Sequence, residues 1–114
     1  RELWLIDHGA SLYFHHNWIG WEKAALSPFP YIKDHALLRD ASMLAEADVE
    51  MSKRITPEVI DAVVAAIPDT WLQQASEEIS PAEQRRVYAE FLKTRLSNSH
   101  IFVNHAREAR NALV

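Results

Sequence analysis

The residues whose types and spacing could do chemistry are Asp7, His8 and Gly9, with His15 and His16 shortly after them. Glycine accepts φ > 0 without steric penalty, so a carboxylate two positions ahead of it can be presented at a sharp turn. A carboxylate held at such a corner can bind Mg2+. That ion keeps most of its waters and takes one or two carboxylates together with substrate phosphates. The same Asp-x-Gly pattern also builds ordinary hairpin turns in which the Asp is simply solvated. The imidazoles of His8, His15 and His16 are ligand types for Zn2+ or Ni2+. Their spacing fits no standard zinc site, and neighbouring His15 and His16 point in different directions on either a strand or a helix. One packed histidine and two solvated ones is the plainer reading.

The element that must position Asp7 is the run before it. Leu3-Trp4-Leu5-Ile6 has the length and bulk of a short buried strand that stops at a turn. It would fix the backbone in a core and leave Asp7 at the mouth of a cleft. Residues 8–20 show no clean period and read as irregular chain, with room for a second short strand. One or two short strands are therefore expected, near residues 2–6 and 11–14.

The string from Leu3 to His16, LWLIDHGASLYFHH, resembles a branch of the HipA-like bacterial protein kinases. In that branch an Ile-Asp-His-Gly corner stands where other kinases carry Asp-Phe-Gly. The likeness continues weakly through Ile55-Thr56-Pro57-Glu58 and Pro68-Asp69-Thr70-Trp71-Leu72, and its specific part is the first string. The resemblance implies that Asp7 ligates Mg2+ against the phosphates of ATP and that Gly9 makes the turn. His8 departs from the usual Phe, which puts Phe-type switching in doubt. It also implies a cytoplasmic, ATP-dependent kinase of the serine/threonine type whose catalytic Asp and Asn lie upstream of the Leu3–Ile6 strand.

Kinases need more than one carboxylate: a loop over the phosphates, a strand Lys, and a catalytic Asp with a metal-holding Asn. Gly9 and Gly20 are the only glycines, so no glycine-rich phosphate loop lies in this sequence. No apolar strand pattern carries a Lys. Residues 1–114 are then expected to be a single, incomplete domain, the C-terminal helical portion of a HipA-like kinase. It would be inactive alone, its catalytic residues unknown and its first partner the missing N-terminal part. The uncovered Leu3–Ile6 strand is a candidate for pairing with a second copy of the chain. The alternative, of a different class, is a free-standing helical interaction module without catalysis. A weaker third reading is a helical metal-binding protein using His8, His15 and His16. An Asp- or Asn-x-x-x-x-Asn loop encoded upstream of Arg1 would favour the kinase, and a start codon there the module.

Composition narrows the classes further. The chain has 114 residues, 48% of them hydrophobic, four Trp and no Cys. That is one domain's worth of chain at most, without a disulfide framework or thiolate metal site. Net charge is −4, which disfavours nonspecific nucleic-acid binding. No apolar run approaches the roughly 18 residues of a membrane span, and no leader pattern opens the sequence.

The rest reads as helices. Trp21 to Leu26 predicts a short one, ended by Ser27-Pro28-Phe29-Pro30. Asp40 is a candidate cap for a helix reaching Met51, with Leu44, Ala47 and Met51 inward and Glu46, Asp48 and Glu50 in water. Thr56-Pro57 starts a helix over 57–67 with Ile60, Val63, Val64 and Ile67 on one stripe. Ser80-Pro81-Ala82-Glu83 is the strongest local signal, a cap, a first-turn Pro and a capping-box acid. It opens a helix over 81–97 whose stripe is Val87, Tyr88, Phe91, Leu92 and Leu96. A last helix over 100–113 carries Ile101, Phe102, Ala106, Ala109 and Leu113. His100 and His105 lie about 140° apart around it and cannot share a ligand. The expected class is mainly α, the helical part of a kinase large lobe, with Ile60, Trp71 and Phe91 buried in one cluster.

Overall fold

The computed structural model describes residues 2, 4, 11, 12, 18–75 and 78–114. The fold is mainly α. Among the described residues six helices follow in order: α1 Trp21–Ala25, α2 Leu44–Arg54, α3 Pro57–Ala65, α4 Asp69–Ala75, α5 Pro81–Ser97 and α6 His100–Asn111. Two 3-10 turns, Pro30–Asp34 and Leu38–Asp40, join α1 to α2. No strand occurs among the described residues. Glu2 and Trp4 are irregular and Ser11 and Leu12 form a bend, while the rest of the two expected strands lies outside the described residues.

Local chemistry accounts for the two best-defined helix starts. Thr56 sits in extended conformation with Pro57 in the first turn, and its hydroxyl accepts from the Val59 N–H at 3.3 Å. Ser80 does the same for α5, accepting from the Glu83 N–H at 3.2 Å. Each cap satisfies one of the N–H groups that a helix start leaves open. The Glu83 carboxylate turns to Arg86 rather than completing a capping box, with Arg86 Nε and Nη2 donating at 2.9 and 2.6 Å. At the other end of α5, Asn98 Nδ2 donates to the Thr94 carbonyl at 2.9 Å and the chain turns into α6.

α5 is the helix on which the fold is assembled. It packs against α1, α3 and α4, while α6 packs against α2 and both 3-10 turns. The buried cluster consists of Ala25, Val87 and Phe91, flanked by Leu12, Trp18, Trp21, Ala24, Tyr88 and Leu92. Phe91, 1% exposed, is its centre. Ile60 and Val64 are buried on the α3 side, outside that cluster.

Several expectations are corrected. Trp71 is 67% exposed, and its neighbour Leu72, at 3%, is the residue α4 buries. Adjacent positions on a helix differ by about 100°, so only one of the two can face α5. Val63 is exposed although Ile60 and Val64 are buried, which narrows the α3 stripe. α2 begins at Leu44 after Met43, and Asp40 closes the second 3-10 turn instead of capping α2. Asp48 is half-buried and accepts from the Ser99 hydroxyl at 3.1 Å, tying α2 to the α5–α6 junction. Leu113 lies past the end of α6 and is exposed.

Candidate functional site

The residues singled out for chemistry, Asp7, His8, Gly9, His15 and His16, lie outside the described residues, as do Leu3, Leu5 and Ile6 of the apolar run. Trp4, within that run, is described and is 77% exposed. On either side of the histidine pair the chain is described at Leu12 and Trp18, and both pack against the Ala25–Val87–Phe91 cluster. Trp18 meets Tyr88 edge-on, with ring centroids 5.2 Å apart and planes at 67°. That geometry sets the positive edge of one ring against the negative face of the other. Partial burial pushes the Tyr88 hydroxyl above its usual pKa.

After Trp18 the chain turns at Gly20, whose φ of 80° is the left-handed conformation that favours glycine. α1 follows, only five residues long and without a side-chain cap at its start. Its far end is held by Arg95 from α5. Arg95 Nη1 donates to the carbonyls of Ala24, Ala25 and Ser27 at 3.3, 3.4 and 2.9 Å. The same guanidinium lies 4.7 Å from the centroid of Phe102 and 5.9 Å from that of Phe91. A helix end collects carbonyl groups with no partner and a partial negative charge, so a planar cation is suited to it. This clamp escaped the reading of the sequence. The signal available was Arg95 itself, four residues beyond Phe91 on the apolar stripe of α5, where a charged head needs a partner.

Phe102 also lines a second feature, an open apolar cleft of about 530 Å³ between α2, α6 and the C-terminal part of α5. Leu44, Ala47 and Met51 from α2 face Phe102, Val103 and Ala106 from α6 across it. Asp48 and Ser99 border it, bonded to each other. Leu44, Ala47 and Met51 share the cleft face of α2, but Ala47 and Met51 stay exposed there and α2 buries none of its residues, which corrects the expectation that all three pack inward.

Among the described residues no group of three or more His, Asp or Glu is gathered closely enough to hold a metal ion. His100 and His105 stand apart from any such group. Some ionic contacts tie helices together at the surface, as where Lys93 Nζ on α5 meets Asp61 Oδ1 on α3 at 2.7 Å, while Glu50 with Lys53 and Arg54, and Glu83 with Arg86, pair within one helix. Arg85 reaches from α5 to the Ile67 carbonyl and the Asp69 carboxylate, closing the α3–α4 corner. Among the described residues no helix is long and apolar enough to cross a membrane. Compared with known proteins, the chain matches no family model, no curated protein and no solved structure.

Proposed function

We propose that these residues form the C-terminal helical portion of a HipA-like, ATP-dependent kinase of the serine/threonine type. In this reading Asp7 contributes the Mg2+ ligand and Gly9 the turn beside it. The observation that carries it is the string Leu3 to His16, set directly ahead of a helical body onto which Leu12 and Trp18 are packed. A carboxylate presented for phosphoryl transfer needs a rigid mount, because catalysis of this kind rests on positioning and charge. The bound cation would neutralise charge on the phosphates. Asp7 would orient it, and the remaining residues of this chain would keep the corner in place. The phosphate cradle and the catalytic Asp and Asn are to be sought outside these 114 residues.

The test is Asp7→Asn in the full polypeptide as its gene encodes it. The variant is expected to keep its circular dichroism spectrum and lose phosphoryl transfer from ATP. Near-normal autophosphorylation by Asp7→Asn removes the assignment. The 114 residues alone are expected to give no heat of ATP binding by calorimetry.

A second reading, a helical interaction module without catalysis, draws on the apolar cleft between α2 and α6. Absence of phosphoryl transfer by the unmutated full polypeptide, under conditions where it is folded, would favour it.

A further inference from the structure

We propose that the cleft between α2 and α6 binds a free amphiphilic amine, a small molecule with a linear apolar chain and a protonated primary amino group, whose ammonium is taken by Asp48. None of the residues involved belongs to the Leu3–His16 string, so the site stands apart from the kinase reading.

Size and lining suit the chain. The cleft measures about 530 Å³, within the roughly 300–1,000 Å³ of small-molecule sites, which also occur between packed helices. Phe102 and Val103 from α6 face Ala47 and Met51 from α2. Phe29, Met51 and Ile55 line the cleft yet keep 41%, 48% and 37% of their surface in solvent. An apolar chain laid there removes surface from water on both sides of the contact.

Charge selects the head group. Among the described residues, Asp48 and Arg95 are the charged side chains that line the cleft. Arg95 is committed, with Nη1 on the carbonyls of Ala24, Ala25 and Ser27 and the guanidinium against Phe102. Asp48 is half-buried and takes one hydrogen bond, from the Ser99 hydroxyl to Oδ2 at 3.1 Å. The cations nearest to it in sequence, Lys53 and Arg54, both go to Glu50, at 4.0 and 2.9 Å. The carboxylate therefore faces an apolar cleft without a cation among the described residues, and a charge drawn out of water is stabilised by a paired, hydrogen-bonded partner. Ser52, one turn further along α2, lines the same cleft and adds a hydroxyl oxygen. A primary ammonium has three N–H donors and no acceptor, which matches a carboxylate and a hydroxyl. A carboxylate head would set like charges together. One charge at one point of a mostly apolar lining fits a ligand charged at one end.

The experiment uses the full polypeptide as its gene encodes it and three probes that differ in the head alone: decylammonium, decanol and decanoate, each below the concentration at which it aggregates, at neutral pH. Calorimetry is expected to show one site per chain, with decylammonium bound about tenfold or more tighter than decanol and decanoate weakest. Asp48→Asn keeps an oxygen for Ser99 and removes the charge, so decylammonium should fall about tenfold while decanol changes by less than about twofold. Ala47→Phe adds bulk at an exposed position on the cleft wall and should weaken both about tenfold or more. If Asp48→Asn does not fold, the ranking on wild type together with Ala47→Phe decides. Decanol or decanoate bound as tightly as decylammonium overturns the proposal, as does binding of no probe, an unchanged preference in Asp48→Asn, or unchanged affinity in Ala47→Phe. Light scattering in parallel tests a second copy as the occupant: a dimer that binds no probe and that Ala47→Phe dissociates overturns the amine. A synthetic amphipathic helix of Leu and Lys that binds where no probe does overturns it as well and gives the cleft to a protein partner.

Discussion

Gln84 and Arg95 stand at opposite ends of one face of α5, and each donates to backbone carbonyls of a different neighbour. Gln84 Nε2 reaches the carbonyls of Leu72 and Ile79 at 2.9 and 2.8 Å, and Arg95 Nη1 reaches those of Ala24, Ala25 and Ser27. Positions 84, 87, 91 and 95 recur at helical spacing, so Val87 and Phe91 form the apolar middle of a stripe with a polar clamp at each end. The apolar middle drives association and the two clamps fix where along α5 the other elements sit.

Gln84 is the fully buried member of the pair, 0% exposed. Gln84→Ala removes the donor from two carbonyls and opens a cavity, so it should cost about 2–4 kcal/mol in urea denaturation. Gln84→Glu gives a pH-dependent version of the same defect. Facing carbonyl oxygens in a buried site, the new acid can donate only when protonated, so its folded pKa is raised above the unfolded value of about 4.3. The stability it contributes is present below that value and is lost as pH rises through the folded pKa. Measured against wild type at each pH, the deficit of Gln84→Glu should be smallest near pH 4 and grow toward neutrality. A deficit independent of pH would mean that the site is hydrated.

Phe91 and Trp71 make a paired test of which aromatic residues hold the fold. Phe91→Ala should cost about 3–5 kcal/mol, a large share of the stability of a domain this size. Trp71→Ala, at an exposed position, should stay within about 0.5 kcal/mol of wild type. Chemical denaturation of both variants checks this. A large loss for Trp71→Ala would show that α4 turns a different face to α5 in solution.

The α5 start should weaken in acid. Hydrogen bonds from Arg86 hold the Glu83 carboxyl below the usual range, and the Arg86 guanidinium is raised in turn by the same pair. A depressed folded pKa contributes stability that is present above the unfolded value of about 4.3 and lost as pH falls through the folded one. The pair lies at the surface, so the effect is small and salt-sensitive. Melting curves of wild type and Glu83→Gln should differ above about pH 5 and converge toward pH 3, with the difference shrinking in high salt. Parallel curves across that range would mean that the pair contributes nothing.

What was legible in the sequence follows from the range of the forces involved. Thr56-Pro57 and Ser80-Pro81 act within four residues, and α3 and α5 begin at those prolines. α5 also ends where Asn98 breaks its stripe. The inward face of α4 was misjudged at Trp71 because a seven-residue helix has too few turns for a stripe to declare its phase. The Arg95 clamp joins residues 68 to 71 positions apart, and no local period signals it. Asp48 looked solvated because its partner, Ser99, lies on another helix junction. As for the candidate corner, Asp7 and Gly9 are legible only as letters in a string. What the structure adds is that Leu12 and Trp18, which follow the corner in sequence, pack against the Ala25–Val87–Phe91 cluster.

That packing can be tested without any assumption about catalysis. Trp18 and Tyr88 touch edge to face at 5.2 Å, and pairs of this kind are coupled by about 0.5–1.5 kcal/mol beyond their buried area. A double-mutant cycle with Trp18→Leu and Tyr88→Leu should return a coupling of about that size. The pair also has a signature in alkali. Burial raises the Tyr88 hydroxyl, so its folded pKa lies above the unfolded value of about 10. Its contribution is therefore complete below pH 10 and is lost as pH rises through the folded pKa. Wild type should lose stability relative to Tyr88→Phe as pH climbs past about 10, because Phe has no hydroxyl to ionise. Trp18→Leu should shrink that difference, since the ring packed edge-on against Tyr88 is gone and water reaches Tyr88 more freely. Zero coupling in the cycle, with Trp18→Leu leaving the alkaline difference unchanged, would mean that the segment after the Asp-His-Gly corner is not seated on α5 in solution.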